Sequence, residues 1–116
     1  MRPGDIHWVE LSPAGGHEQV GRRPAIVLQD HAYAGALPLV IVVPLTGATA
    51  ASRFAGTLLL VPTAENGLRQ ESVALVFQVR ALDRRDLGER LGAVGEAALA
   101  EIHSLLDRLM GRATKM

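Results

Sequence analysis

Residues 39–43 read Leu-Val-Ile-Val-Val, the most hydrophobic and most β-branched run of the chain. β-Branched side chains pack well on a pleated surface and are less favourable in helices. A short apolar run of this kind is typical of a buried strand. Pro44 follows it and is expected near the end of that strand, because proline lacks a backbone donor. We therefore predict a central strand over 39–43.

Further segments on both sides of this run also favour strands. Residues 6–11 alternate in character and contain Trp and Val, and residues 24–29 are apolar after an opening proline. Residues 57–61 predict another strand, and 72–82 predict one or two strand segments around Gln78. The intervening residues 12–16, 47–56 and 63–68 are predicted turns or loops, and 47–56 is expected to be mobile.

Towards the C-terminus the apolar residues change to helical spacing. They recur at Leu99, Ile102, Leu105, Leu106, Leu109 and Met110. This spacing predicts a helix over 96–110 with Gly111 as its C-terminal cap. A helical turn near 84–87 and a short strand around 90–94 are also expected.

Antiparallel strands followed by one helix predict a mostly β fold of the α+β class. We expect a small, strongly curved antiparallel sheet or half-barrel with the helix packed on one face. An SH3-like barrel of another lineage is the alternative. With 116 residues, no repeat and no long linker, the chain is expected to form a single domain over 1–116.

The composition excludes several kinds of chemistry. Without cysteine there is no disulfide, thiolate nucleophile or cysteine-based zinc site. The histidines show no metal-binding spacing, so neither a metal nor a cofactor is expected. No signal peptide or membrane span is predicted, which is consistent with a cytoplasmic protein.

The charge of the chain gives little guidance about partners. Its formal net charge is zero, so charge alone does not indicate a nucleic-acid binder. Eleven of the twelve Lys and Arg residues are Arg, which binds phosphate bidentately and stacks on bases. Codon bias in a GC-rich genome explains that excess equally well.

Four motifs in a fixed order resemble those of a known family. They are Gly4-Asp5-Ile6-His7-Trp8-Val9, then Gly16-His17-Glu18-Gln19 with Gly21 and Arg23-Pro24, then Val43-Pro44-Leu45-Thr46, and finally Ser72-Val73-Ala74-Leu75 with Gln78, Arg80 and Asp83. Over nearly its whole length the chain resembles the MazF/PemK toxins of bacterial toxin–antitoxin systems. Each motif alone is weak, whereas the four together are specific.

This resemblance implies the SH3-like fold of the MazF, PemK and CcdB toxins, and a homodimer. It also implies a sequence-specific, metal-independent endoribonuclease that cleaves single-stranded RNA, chiefly mRNA, to 2′,3′-cyclic phosphate and 5′-hydroxyl ends, which inhibits translation and growth. The implied partner is a cognate MazE-like antitoxin whose acidic C-terminal segment occupies the RNA groove. The alternatives are a non-catalytic, CcdB-like protein-binding toxin and an inactive relative that binds only RNA or antitoxin.

By the same resemblance the catalytic residues are Arg23, Thr46, Glu18 and His17. Arg23 would hold the scissile phosphate, because a guanidinium is a poor base. Thr46 would donate to a phosphate oxygen, although it could instead bond its own loop. His17 titrates near neutrality and could move a proton beside Glu18. Both could equally be ordinary loop residues.

The predicted RNA contacts are Arg22, Gln19, Arg53, Phe54, Gln78 and Arg80. A cation beside an aromatic ring, as at Arg53 and Phe54, suits single-stranded RNA. Strand alternation would place Gln78 and Arg80 on one face and Phe77 on the other.

The chain departs from the Kid/PemK branch just before Gln78. That branch has an acid–base pair at the positions of Leu75 and Phe77, neither of which can transfer a proton. The chain is therefore closer to the MazF branch in its catalytic residues. Phe77 is expected either in the core or stacked on a base.

Overall fold

The computed structural model describes residues 1–12, 16 and 19–112. In these ranges the strands and the helix are β1 Asp5–Leu11, β2 Gly21–Val27, β3 Leu39–Thr46, β4 Thr57–Leu60, β5 Ser72–Leu75, β6 Arg80–Asp83, β7 Leu87–Ala93 and α1 Glu96–Leu109. Short 3₁₀ turns lie at His31–Tyr33, Thr49–Arg53, Val76–Gln78 and Arg84–Asp86. No helix in this described part has the length and apolar character that crossing a bilayer requires.

The strand predicted to be central, β3, organises the sheet. The antiparallel order is β4-β5-β3-β2-β1-β7, so β2 lies along one edge of β3. Along the other edge β3 changes partner. Its first half pairs with β6, where Val42 lies opposite Arg80, and its end pairs with β5, where Thr46 lies opposite Val73. Because β3 pairs with two different strands along one edge, the sheet is curved, as the predicted half-barrel requires.

Buried side chains form one cluster on each face of β3. Val43 belongs to the first cluster together with Ile102 of α1, which is completely buried. Val40 and Val42 belong to the second cluster on the opposite face. Because alternate residues of a strand face opposite sides, β3 needs apolar residues at consecutive positions. The predicted packing of the helix on one face of the sheet is confirmed.

Several element boundaries differ from the predictions. β2 begins at Gly21 and β7 at Leu87, each earlier than expected, because both pair with β1 over those residues. The helix ends one residue early, with Met110 as its cap. Gly111 follows with a φ of +75°, in the left-handed region that glycine favours after a helix.

One prediction about the middle of the chain is wrong. The expected loop 47–56 does connect β3 to β4, and it contains the 3₁₀ turn Thr49–Arg53. Gln78 lies in another 3₁₀ turn, Val76–Gln78, so it does not alternate with Arg80 along one strand. The chain must turn there because β5 and β6 pair with different halves of β3.

Candidate active site

Arg23 and Thr46 lie on neighbouring strands at the same end of the sheet. β2 and β3 are antiparallel, with Ala25 opposite Pro44. Continuing this register by two residues places Arg23 opposite Thr46. Arg23 is two residues from Ala25, and Thr46 is two residues from Pro44. Because residues two apart on a strand point to the same side, the side chains of Arg23 and Thr46 share one face of the sheet. The fold therefore brings together two predicted catalytic residues that are distant in sequence.

The Arg23 side chain is held at one of its nitrogens. It is half-buried, and its Nε donates a hydrogen bond to the carbonyl oxygen of Val20 at 3.2 Å. That bond does not involve the two Nη groups, which carry the N–H pairs suited to an anion. A guanidinium anchored in this way presents a planar set of donors, and this geometry matches a phosphate group.

The Thr46 hydroxyl is buried at the end of β3. The residue is 6% exposed, and its Oγ1 accepts a hydrogen bond from the backbone N–H of Ala48 at 3.2 Å. The expectation that it might bond its own loop is therefore met. Since the oxygen acts as the acceptor in this bond, the hydroxyl hydrogen is not consumed by it. The loop bond orients the hydroxyl and is compatible with donation to a substrate oxygen.

Gln19 is clamped through its backbone by two other predicted site residues. Its N–H donates to Oε1 of Gln78 at 2.8 Å, and its carbonyl oxygen accepts from Nη1 of Arg80 at 3.1 Å. Arg80 lies opposite Val42. Val42 precedes Thr46 by an even number of residues along β3, so Arg80 and Thr46 lie on the same face of the sheet. His17 and Glu18 lie outside the described residues, and they immediately precede this clamped position.

Gln19 lines a cavity of about 430 Å³ that is partly aromatic. Phe54 is 50% exposed and packs edge-on against Phe77, with ring centroids 6.1 Å apart. The guanidinium of Arg53 lies 4.9 Å from the centroid of Phe54. Phe77 is 42% exposed, so its expected place in the core is wrong, whereas Leu75 is buried.

Arg22 is not part of this arrangement. Successive residues of a strand face opposite sides, so Arg22 points away from the face that carries Arg23. Its guanidinium stacks on the ring of Trp8 at 4.3 Å from the centroid. The structure thus separates two adjacent arginines that both appeared among the predicted site residues.

Other features of the site were not predicted from the sequence. The Trp8–Arg22 stack and the packing of Gln70 against Gly47 depend on pairing between distant segments. Among the described residues, no group of His, Cys, Asp and Glu could hold a metal ion.

Among the residues that the structure describes, the charged pair whose pKa values are clearly shifted lies away from this site. Hydrogen bonds from Arg85 lower the pKa of Asp83, which is paired with Leu39 at the opposite end of β3 from Thr46.

Comparison with known proteins identifies the family of the chain. Residues 2–110 match the family described as PemK-like, MazF-like toxin of type II toxin-antitoxin system. The chain belongs to this toxin family. It is 32% identical to endoribonuclease MazF of Staphylococcus saprophyticus over 111 residues, which cover 96% of this chain and 92% of the relative. The resemblance inferred from the sequence motifs is confirmed.

Solved structures of MazF proteins share the fold. The crystal structure of MazF from Deinococcus radiodurans has a TM-score of 0.81 and 34% identity, and the match covers 96% of each chain. A MazE-MazF structure from the same organism has a TM-score of 0.74 and 32% identity over 97% of each chain. The predicted fold of the MazF/PemK type is therefore confirmed. The roles assigned to individual site residues of this toxin-family chain stay predictions.

Proposed function

We propose that this chain is an endoribonuclease toxin that cleaves single-stranded RNA and is neutralised by a cognate antitoxin. The observation that carries the proposal is the placement of Arg23 and Thr46 on one face, at adjacent strand ends. The family match and the MazF relatives named as endoribonucleases support it. The whole chain, 1–116, is proposed to act as one domain in the cytoplasm.

The proposed reaction uses the RNA's own 2′-hydroxyl as the nucleophile. Its oxygen attacks the adjacent phosphorus, the bond from phosphorus to the 5′-oxygen breaks, and a 2′,3′-cyclic phosphate forms. One proton leaves the 2′-hydroxyl and another reaches the departing 5′-oxygen. Arg23 stabilises the charge that develops on the phosphoryl oxygens, and Thr46 donates a hydrogen bond to one of them. Neither residue needs a metal ion for these roles.

The proton transfers are assigned to His17 and Glu18. Leu75 and Phe77 cannot carry protons, and arginine remains protonated at physiological pH. Gln19, the residue that follows Glu18 in the sequence, is fixed through its backbone by two hydrogen bonds beside the Arg23–Thr46 face. Histidine is the side chain best suited in general to acid–base catalysis near neutral pH, so His17 is assigned the proton transfer and Glu18 its orientation.

RNA binding is assigned to two kinds of residue. Arg53 and Phe54 offer a cation and an exposed ring on which a base can stack. Gln19, Gln78 and Arg80 act mainly by shaping the loop, since the contacts that join them are internal.

A homodimer is proposed on the basis of an exposed apolar face. The exposed apolar residues assigned to it are Leu39, Ile41, Phe77, Val79, Leu109 and Met110. A Cβ placed on Gly56 would lie 3.0 Å from Leu109 and 3.3 Å from Phe77, so the helix end and Phe77 are contiguous. Contiguous apolar surface of this kind marks an interaction site, and a second copy of the chain is the proposed occupant.

The antitoxin is proposed by analogy with the MazE-MazF structures of Deinococcus radiodurans. Its acidic C-terminal segment would occupy the groove beside Arg23 and Arg53 and so exclude RNA. Electrostatic attraction between that segment and the arginines supplies the complementarity.

The test is cleavage of a long single-stranded RNA in the presence of EDTA, with both new ends identified chemically. We expect cuts at a short recurring sequence with cyclic-phosphate ends. Arg23→Ala should lower the rate about 10²–10³-fold, the usual loss for a transition-state donor. Arg85→Ala is the matched control, because Arg85 pairs with Asp83 and is 89% exposed in its side chain.

Thr46 can be tested with a pair of variants. Thr46→Ser keeps the hydroxyl and should cleave within a few-fold of wild type. Thr46→Val keeps the shape and loses the donor, and should be roughly 10–100-fold slower, as expected for a hydrogen bond to a charged group. Equal rates for Arg23→Ala and wild type, or intact RNA with the wild-type protein, would overturn the proposal.

A further inference from the structure

A second cavity lies on the opposite face of the strand that carries Arg23. It has a volume of about 640 Å³, within the range of roughly 300–1,000 Å³ typical of small-ligand sites. Its apolar wall includes Trp8, Leu68 and Leu91, and its polar wall includes Arg69, Gln70 and Glu89. An apolar wall with a few hydrogen-bonding groups is the usual composition of a specific ligand site.

The cavity is next to both proposed catalytic residues. Pro24 lines it and directly follows Arg23. Gln70 also lines it and packs on Gly47, which directly follows Thr46; a Cβ on Gly47 would lie 2.6 Å from Nε2 of Gln70. The cavity therefore lies at the rim of the sheet, on the opposite face, beside the strand ends that carry Arg23 and Thr46.

Trp8 gives the cavity a fixed aromatic surface. The guanidinium of Arg22 stacks on its ring at 4.3 Å, which holds the ring in place. Single-stranded RNA is commonly recognised by bases that stack on aromatic rings or on arginine planes. Arg22 contributes to this second site indirectly, through the ring of Trp8 on which it stacks.

The polar wall matches the edge of a base better than an acidic peptide. Gln70 offers both a donor and an acceptor, Arg69 offers donors, and Glu89 accepts, and these are the side-chain types that read base edges. One Arg and one Glu in the wall cancel in charge. A site for an acidic segment would instead be lined by positive charge alone.

We propose that this cavity binds one base of the RNA adjacent to the scissile phosphate and determines which base is accepted there. The inference rests on the proposed ribonuclease function. Stacking on Trp8 supplies affinity for any base, and the edge contacts with Gln70, Arg69 and Glu89 supply the selection.

Trp8 provides a direct signal of occupancy, because it is the single tryptophan of the chain. The full-length protein is titrated with an RNA whose 2′-hydroxyl at the cleavage position is methylated, so that it binds without being cut. We expect the tryptophan emission to change and to saturate with RNA binding. The same RNA lacking the adjacent base should bind with a smaller change in emission.

Base selection is tested with a randomised single-stranded RNA and sequencing of the cut ends. In the Glu89→Gln variant, we expect the preference for one base over the others at one position next to the cut to fall about tenfold. This is in the lower part of the range of base discrimination expected from one lost contact. Preferences at the other positions should stay as in wild type. Glu71→Gln is the matched control, since Glu71 makes the same charge change beside Gln70 without lining the cavity.

The outcomes separate this inference from the proposed function. If no variant and no wild-type protein cuts RNA, the ribonuclease proposal fails first. If RNA is cut but Trp8 emission and the base preferences of Glu89→Gln are unchanged, only the cavity inference is overturned. A change in emission caused by an acidic antitoxin-like peptide, with no change on RNA binding, would likewise overturn it and assign the cavity to a protein partner.

Discussion

Arg80→Met tests whether Arg80 holds the loop or contacts RNA. In the structure Nη1 of Arg80 donates to the carbonyl oxygen of Gln19 at 3.1 Å, and the side chain is half-buried. A hydrogen bond from a charged donor contributes about 1.5–3 kcal/mol. We take about 1.4 kcal/mol because the site is partly exposed, and this corresponds to about tenfold in rate. Methionine keeps most of the side-chain length and removes the donor.

The clamp predicts a specific pattern in the cleavage assay. If Arg80 positions Gln19 and the residues before it, kcat/KM should fall about tenfold in Arg80→Met. The affinity for non-cleavable RNA should keep its dependence on salt. If Arg80 instead binds a phosphate, the slope of log K against log salt should decrease by about 0.7, the value for one phosphate of a single strand.

Arg85→Met controls for the change in net charge. Arg85 is exposed, pairs with Asp83 and lies on the turn that follows β6. It should leave both the rate and the salt slope as in wild type. A wild-type rate for Arg80→Met would refute the positioning role, and a slope lowered only in Arg80→Met would show that the arginine contacts RNA directly.

Three further predictions concern stability and assembly. Ile102→Ala should lower the free energy of unfolding by about 2–5 kcal/mol, because Ile102 is completely buried between α1 and the sheet; chemical denaturation measures this, and exposed Ser104→Ala should leave it unchanged. Gly67→Ala should destabilise the fold by more than about 1 kcal/mol, since Gly67 has a φ of +68° and an added Cβ would collide with the carbonyl oxygen of Leu91; a wild-type melting temperature would contradict this. Leu109→Glu should convert the proposed dimer to a monomer in sedimentation, whereas His103→Glu on the exposed helix surface should not.

The sequence was sufficient for the local features of the fold. The unbroken apolar run of β3 identifies the central strand, and helical spacing identifies α1 to within one residue. The motifs containing Arg23 and Thr46 were sufficient for the family, which the match over residues 2–110 confirms. These features are local because both the spacing of apolar residues and a sequence motif depend only on residues that are close together in the chain.

The structure was needed for the relations between strands. Local sequence did not reveal that β3 pairs first with β6 and then with β5. Because of this change of partner, the predicted strand region 72–82 is interrupted by the turn Val76–Gln78, and Gln78 does not lie on a strand. It also did not reveal that Arg80 donates a hydrogen bond to the carbonyl oxygen of Gln19.

Arginines 22 and 23 show what each level decides about this protein. The sequence by itself determined that a pair of arginines stands in a toxin-family motif. Only the tertiary structure decided that Arg23 faces Thr46 while Arg22 stacks on Trp8. The physical reason is that a strand alternates its side chains between two faces, and the neighbours on each face are set by pairing with β1 and β3, which lie elsewhere in the sequence.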